Sequence, residues 1–284
     1  MGLGFWPSLK QGVNAGVLLG GYAYAGNVYF VGSNAPVFGK RVDTIAQALA
    51  LMVPKDILFL GPQRHEEGNL VLPATLNNVT IIGAGNRGAC FIEPSVAASE
   101  GLQVLADDVT LINVGVAGKS TADYALNIKG ARRFRAYGCK IEGPDGTALL
   151  LNGSTVRNVS DLLFEDCEFC WCGSCIVFQE SATGFGTQIQ VLKSRFHNFV
   201  VTGLGVITTS LVKNLEFYNN QLEQLEDGTE PTDFILLSDN GNTGHIAGNQ
   251  FAIATNATAK LTIGTGLMWG PNGTEAGWST ARPA

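Results

Sequence analysis

Leu215-Glu-Phe217-Tyr-Asn-Asn220-Gln-Leu222 sets two apolar residues in alternation, then two residues free to be polar, then an amide, a polar residue and an apolar one. The pattern recurs upstream at Ile189-Gln-Val191-Leu-Lys-Ser194-Arg-Phe196, Leu162-Leu-Phe164-Glu-Asp-Cys167-Glu-Phe169 and Phe134-Arg-Ala136-Tyr-Gly-Cys139-Lys-Ile141. Earlier copies are Val109-Thr-Leu111-Ile-Asn-Val114-Gly-Val116 and Val79-Thr-Ile81-Ile-Gly-Ala84, and a weaker one follows at Gly244-His-Ile246-Ala-Gly-Asn249-Gln-Phe251. Alternation of apolar residues marks a strand with one buried face. The chain then turns a corner across the two free positions, with the small or amide residue pointing inward, and starts another strand. A second ladder runs in step: Leu102/Val104, Leu126/Ile128, Leu149/Leu151, Ile176/Phe178, Leu204/Val206, Ile235/Leu237 and Leu261/Ile263. Three short strands in each period of about 27 residues describe one coil of a parallel solenoid, with length variation absorbed in the turns.

Composition agrees. The chain has 36 glycines in 284 residues and only 15 % charged residues, against typical values of ~7 % and ~25 %. It is too apolar for a disordered chain, has no apolar run of the ~20 residues a spanning helix needs, and carries a net charge of -6, which argues against nucleic acid as a partner. Gly16–Tyr24 runs into Ala23-Tyr24-Ala25, a signal-peptidase-like site, but the single Lys10 and the Gly20-Gly21 break speak against a signal peptide.

Asp43-Thr44 followed by Ile-Ala-Gln-Ala-Leu-Ala-Leu-Met52 predicts a short capping helix over the open end of the solenoid. Lys55-Asp-Ile57-Leu-Phe59-Leu-Gly-Pro62 reads as the first strand. The expected organisation is an aromatic, Gly-rich arm over 1–40, a parallel β-helix over 41–265 and a tail over 266–284.

Thr44-Ile-Ala-Gln-Ala-Leu, Asp56-Ile57-Leu-Phe59-Leu-Gly-Pro62 and Asn78-Val-Thr-Ile81-Ile-Gly-Ala-Gly85, with the Asn214–Leu222 coil, resemble pectin-lyase-like right-handed parallel β-helix proteins. The resemblance implies an all-β, single-stranded right-handed β-helix. That superfamily holds polysaccharide lyases and glycosidases as well as non-catalytic phage tailspikes and other virion proteins, so fold alone does not choose a function.

Enzymes of this kind act on the outer face of one sheet, here equated with the second ladder. Its outward residues are Gln103, Asn127, Leu150, Val177, Gly205, Leu236 and Thr262, without a carboxylate or a base. Glycosidases need two facing carboxylates. The remaining acids that could serve are Glu165, Asp166 and Glu168, adjacent in sequence. The uncharged row reads instead as an interaction surface. The resulting expectation is a non-catalytic phage structural protein on the virion surface. It is pictured as a homotrimeric capsid decoration protein that packs through Leu150, Val177 and Leu236. Phe5, Trp6, Trp269 and Trp278 in the terminal segments would then touch the capsid protein or sister subunits. The rival is a polysaccharide-degrading or glycan-binding protein of the tailspike type. No cofactor is expected.

Cys167-x-x-Cys170-x-Cys172-x-x-Cys175 has the residues of a four-thiolate zinc site, but Cys167 already fills the inward corner position and Cys175 precedes a core residue. Reduced, packed thiols are the expected state. His65, His197 and His245 fall on different coils, so no His/Cys group is expected.

Overall fold

The computed structural model describes residues 26–32, 39–96, 100–119, 124–143, 146–153, 157–179, 186–207, 211–223, 231–251, 261–274 and 277–279. Over these residues the chain is a parallel β-solenoid. One eleven-stranded sheet, face A, carries the first ladder: Ile57–Leu60, Thr80–Gly83, Thr110–Ile112, Arg135–Tyr137, Ser160–Glu165, Gly186–Leu192, Val212–Tyr218, Gly244–Ala247 and Leu267–Trp269 in spatial order. A sixteen-stranded sheet holds the other two strands of each coil. Its face B runs through Lys140–Glu142 and its face C through Thr147–Asn152. Glu168–Gln179 and Arg195–Ile207 each pass through both faces without a break, which joins them into one sheet.

The corner between faces A and B forms as the repeat requires. Asn113, Gly138, Asp166, Lys193, Asn219 and Gly248 all have left-handed backbone, the conformation that lets a strand turn in two residues. The next residue of each coil, from Val114 through Cys139, Cys167, Ser194, Asn220 and Asn249, is buried. The polar members hydrogen-bond along the stack. Cys167 N donates to Ser194 Oγ at 3.1 Å, Ser194 N to Asn220 Oδ1 at 2.9 Å and Asn220 N to Asn249 Oδ1 at 2.9 Å. Asn249 N donates to Asn272 Oδ1 at 2.9 Å, so the ladder gains a rung in the tail. Each amide thus satisfies a buried backbone N–H of the coil before it, a group that would cost ~1–3 kcal/mol if left unpaired. The core between the sheets is filled by rows of like residues, among them Phe134, Phe164, Phe169, Phe196 and Phe217 at centroid spacings of 4.8–6.1 Å.

The helix Ile45–Leu51 starts at Thr44, whose Oγ1 accepts from Gln47 N, while the Glu67 carboxylate accepts from Ile45 N and Ala46 N. Ile45, Ala48 and Leu49 join the core. Face A continues past the first complete coil: Val28–Val31 pairs with Ile57–Leu60 and Lys40–Val42 pairs with Val28–Val31. Residues read as arm therefore supply a strand, with Tyr29 buried and the buried Asp56 carboxylate accepting from Asn27 N at 2.6 Å. The segment holding Phe5, Trp6 and Gly16–Tyr24 lies outside the described residues.

The outward row of face C is not an exposed patch. Leu150 and Val177 stand in register but are 1 % and 4 % exposed, already buried within one chain and so not free to form an interface, and Leu236 is half-buried. Trp269 is also committed. Its ring stacks on Phe251 at 6.0 Å and ends a row of core aromatics. Trp278 lies on Gly277–Ser279, antiparallel to Asn272–Thr274.

Candidate functional site

Glu165, Asp166 and Glu168 are separated by the corner they span. Glu165 ends a face A strand and pairs with Lys193 Nζ at 2.7 Å. Asp166 takes the left-handed corner position and pairs with Arg87 at 2.6 Å. Glu168 opens face B and faces His197, Nε2 to Oε1 3.0 Å. The three acids have separate partners, Glu165 with Lys193, Asp166 with Arg87 and Glu168 with His197.

The four clustered cysteines do not converge either. Cys167 lies inside at the corner, in contact with Ala136 O and Glu165 O. Cys172 and Cys175 face each other inside the bend between faces B and C, Sγ to Sγ 3.4 Å. Cys170 points the other way, toward Glu168. All six cysteines are free and buried. Burial pushes the Cys90 thiol up to about 12 and raises Cys170 and Cys175 as well, which makes them poor nucleophiles.

Face C does hold a carboxylate. Glu100, from the segment before Leu102–Val104, accepts from Asn127 Nδ2 at 2.7 Å and from Gln103 Nε2 at 2.9 Å. Glu100 belongs to no repeat position, so periodicity gave no signal for it. It is consumed by the two amides it bridges.

Face A carries the open site. Asp161, Gln188 and Asn214 occupy the same place in three successive coils, each with left-handed backbone, φ 54 to 56°. Strand pairing skips them, running Ser160 to Thr187 and then Leu162 to Ile189. The count is equal on each strand, so register is kept and the three residues stand in one row. Beside this row Gln190 and Glu216 are cross-strand partners, and Gln190 Nε2 donates to Glu216 Oε2 at 2.8 Å. The five residues line a cavity of about 320 Å3. Arg135 fixes one end, donating from Nη2 to Asp161 Oδ1 at 2.8 Å. At the other end His245 follows Glu216 in register, and its ring lies 6.4 Å from that of Tyr218. The site thus offers two carboxylates and three amides on a rigid, solvent-facing sheet. These residues were visible in the repeat, since Gln190 and Glu216 sit between the apolar positions of their copies. The resemblance implies a site on the other ladder, and the open cavity lies on this one.

Face B carries two rows with charged side chains. Lys140, Glu168 and Arg195 form one row and Glu142, Cys170 and His197 the next. Lys140 Nζ lies 2.7 Å from Glu142 and 3.6 Å from Glu168. The hydrogen bond from His197 holds the Glu168 carboxyl down at about 2, against the opposing effect of burial, with Lys140 adding to it. His197 and Cys170 are direct cross-strand partners, which corrects the expectation that the histidines are scattered away from the thiols. A lag of one whole coil in sequence separates them, and only register brings them together.

No protein-family model matches the chain, and no curated protein does. Solved structures do. A pectin methylesterase from Aspergillus niger aligns with a TM-score of 0.50 at 14 % identity, covering 82 % of each chain. Pectin methylesterase PemA from Erwinia chrysanthemi aligns with the same score at 14 % identity, covering 81 % of this chain and 80 % of that one. The chain therefore has the pectin-lyase-like right-handed parallel β-helix fold. These structures are of enzymes, and the expectation of a non-catalytic protein is corrected on that finding.

Proposed function

We propose that the chain acts on a polysaccharide, binding a glycan strand along face A and cleaving a glycosidic bond between Asp161 and Glu216. The observation that carries this reading is the cavity in which those two carboxylates share a wall with Gln188, Gln190 and Asn214. Amides and carboxylates arrayed at coil spacing suit the repeated hydroxyls of a sugar chain, and the volume is at the lower end of ligand pockets. Asp161 and Glu216 belong to coils two apart, and Glu216 stands level with Leu163, two residues further along the strand, so their backbones are roughly 12 Å apart. Glu216 reaches back toward Asp161 through its bond to Gln190, in the direction of the wider carboxylate spacing of inverting glycosidases, ~6.5–9.5 Å. Glu216, oriented by the Gln190 amide, is placed to serve the leaving oxygen. Asp161, ion-paired with Arg135, is placed to activate water. The fold of the pectin methylesterases supports a polysaccharide as the substrate class. The helix Ile45–Leu51 fits the role of closing the apolar end of the first coil, since its buried side is continuous with the core.

The test is a panel of neutral and acidic polysaccharides, pectins included, followed by reducing-end release and by affinity electrophoresis. Release by the intact chain that is lost in Glu216→Gln and Asp161→Asn supports the reading. Retarded migration without release reduces it to a glycan-binding face, and neither binding nor release on any glycan overturns it.

A further inference from the structure

We propose that Glu168, Cys170 and His197 on face B form a mononuclear site for a zinc-like divalent transition metal. The site is distinct from the face A cavity and does not depend on it.

Among the described residues this is the one place where three such ligand atoms gather, all within 4.8 Å of one another. The arrangement comes from strand register. Cys170 and His197 are cross-strand partners, and Glu168 lies two residues before Cys170 on the same outward side. All three therefore stand on two hydrogen-bonded strands, the kind of rigid support a metal site needs. His197 Nε2 is 3.0 Å and Cys170 Sγ 3.7 Å from the same Glu168 oxygen. Zinc binds N and O at ~2.0–2.2 Å and S at ~2.3 Å, so ligand atoms in a tetrahedral site lie roughly 3.4–3.7 Å apart. The two distances to Glu168 therefore lie within about half an ångström of those in a bound site, and the three atoms close around an ion by side-chain adjustment from within 4.8 Å of one another.

The chemistry of the set also fits. A carboxylate, a thiolate and a neutral imidazole bring two negative charges to a divalent ion. Three protein ligands with mixed N, O and S donors, and one position left for water, is the pattern of zinc sites that keep an open coordination position. In the metal-free chain the Cys170 thiol and the His197 ring N–H can both point at Glu168. On binding, the Cys170 proton leaves to solvent, and His197 moves its proton from Nε2 to Nδ1 so that Nε2 can ligate. One proton is released per ion.

Lys140 is the opposing feature. Its ammonium lies 3.6 Å from Glu168, but it is closer to Glu142 at 2.7 Å. Pairing with Glu142 alone frees Glu168 for a metal. The other charges on this face are already matched: Arg195 with Glu223, and Arg64 with Glu93 and Glu142.

The experiment titrates the metal-free full chain with Co2+, followed by its absorption spectrum, and with Zn2+ in competition with a chromophoric chelator. One equivalent of Co2+ should give a thiolate-to-cobalt charge-transfer band. Zn2+ should displace it and release one proton per ion in weakly buffered solution. Cys170→Ser should abolish the band and His197→Gln should weaken Zn2+ binding by more than about tenfold. Cys172→Ser, whose thiol faces the core, should keep both, and Lys140→Gln should tighten binding. Unfolding midpoints in chelator show that each variant is folded. No charge-transfer band in the unmodified chain overturns the site. So does a band that survives in Cys170→Ser, or Zn2+ affinity unchanged in His197→Gln.

Discussion

Asn220 Nδ2 donates to Asn249 Oδ1 in the next coil at 3.0 Å, and the same oxygen accepts the Asn220 backbone N–H at 2.9 Å. The Asn220 side chain also donates to Val191 O at 2.9 Å, and its own oxygen accepts from Ser194 N. One amide thus satisfies buried groups in three coils. Asn220→Leu removes this partner while filling the space, leaving the Ser194 N–H and the Val191 carbonyl buried without it. The expected loss is about 2–4 kcal/mol, read as a lowered urea midpoint at unchanged slope. A loss below about 0.5 kcal/mol would show that the ladder is ornamental to stability.

Gly244 stands opposite Leu215 in face A with φ +138°. A Cβ there would run into the Leu215 backbone oxygen and nitrogen, and the backbone angle is one that L-residues avoid. Gly244→Ala should destabilise by at least ~2 kcal/mol, through separation of the last coils. Hydrogen exchange should show early opening of Gly244–Ala247 and Leu267–Trp269 while Thr110–Ile112, Arg135–Tyr137 and Gly186–Leu192 stay protected. Wild-type protection in Gly244–Ala247 and Leu267–Trp269 would contradict the steric reading.

His65 gives the fold a pH dependence. Its ring is buried, with Nε2 donating to Gly61 O at 3.1 Å, and burial lowers its pKa below the ordinary 6.5, with only partial opposition from the Gly61 hydrogen bond and from Glu67. Because the folded value is the lower one, the unfolded chain binds the proton more readily. Stability is therefore full above pH 6.5 and falls as the pH drops below it. Denaturation midpoints between pH 7.5 and pH 5.5 should decline, and His65→Gln should flatten the decline. An unchanged slope in the variant would assign the effect elsewhere.

The thiols should be silent until the chain unfolds. All six are buried and free, and those at Cys90, Cys170 and Cys175 are pushed toward the protonated form. A chromogenic thiol reagent at pH 8 should find almost none in the native chain and six after denaturation without reductant. Fewer than six in the denatured chain would reveal a disulfide.

The repeat carried much of the architecture. Strand positions, the inward corner residue and the paired ladders follow from alternation and from a period of about 27 residues, because a solenoid repeats the same local solution in every coil. Val28–Val31 was less legible. It lies among glycines and aromatics without a full repeat copy, and it is a strand because Ile57–Leu60 offers it an edge to pair with. Asn272 was hidden for a similar reason, as the corner grammar around it is lost while its amide still caps Asn249.

What the sequence determined by itself was the coil, since periodic burial is written in the order of residues. Which outer face is open, and which side chains meet on it, was decided by tertiary structure. Leu150 and Val177 look exposed by parity and are buried by the rest of the chain. Asp161 and Glu216 share one cavity, and Cys170 faces His197, across whole coils of intervening sequence. Parity says only that a residue points outward. Register between coils says what stands beside it, and register is fixed by hydrogen bonds between strands about 27 residues apart.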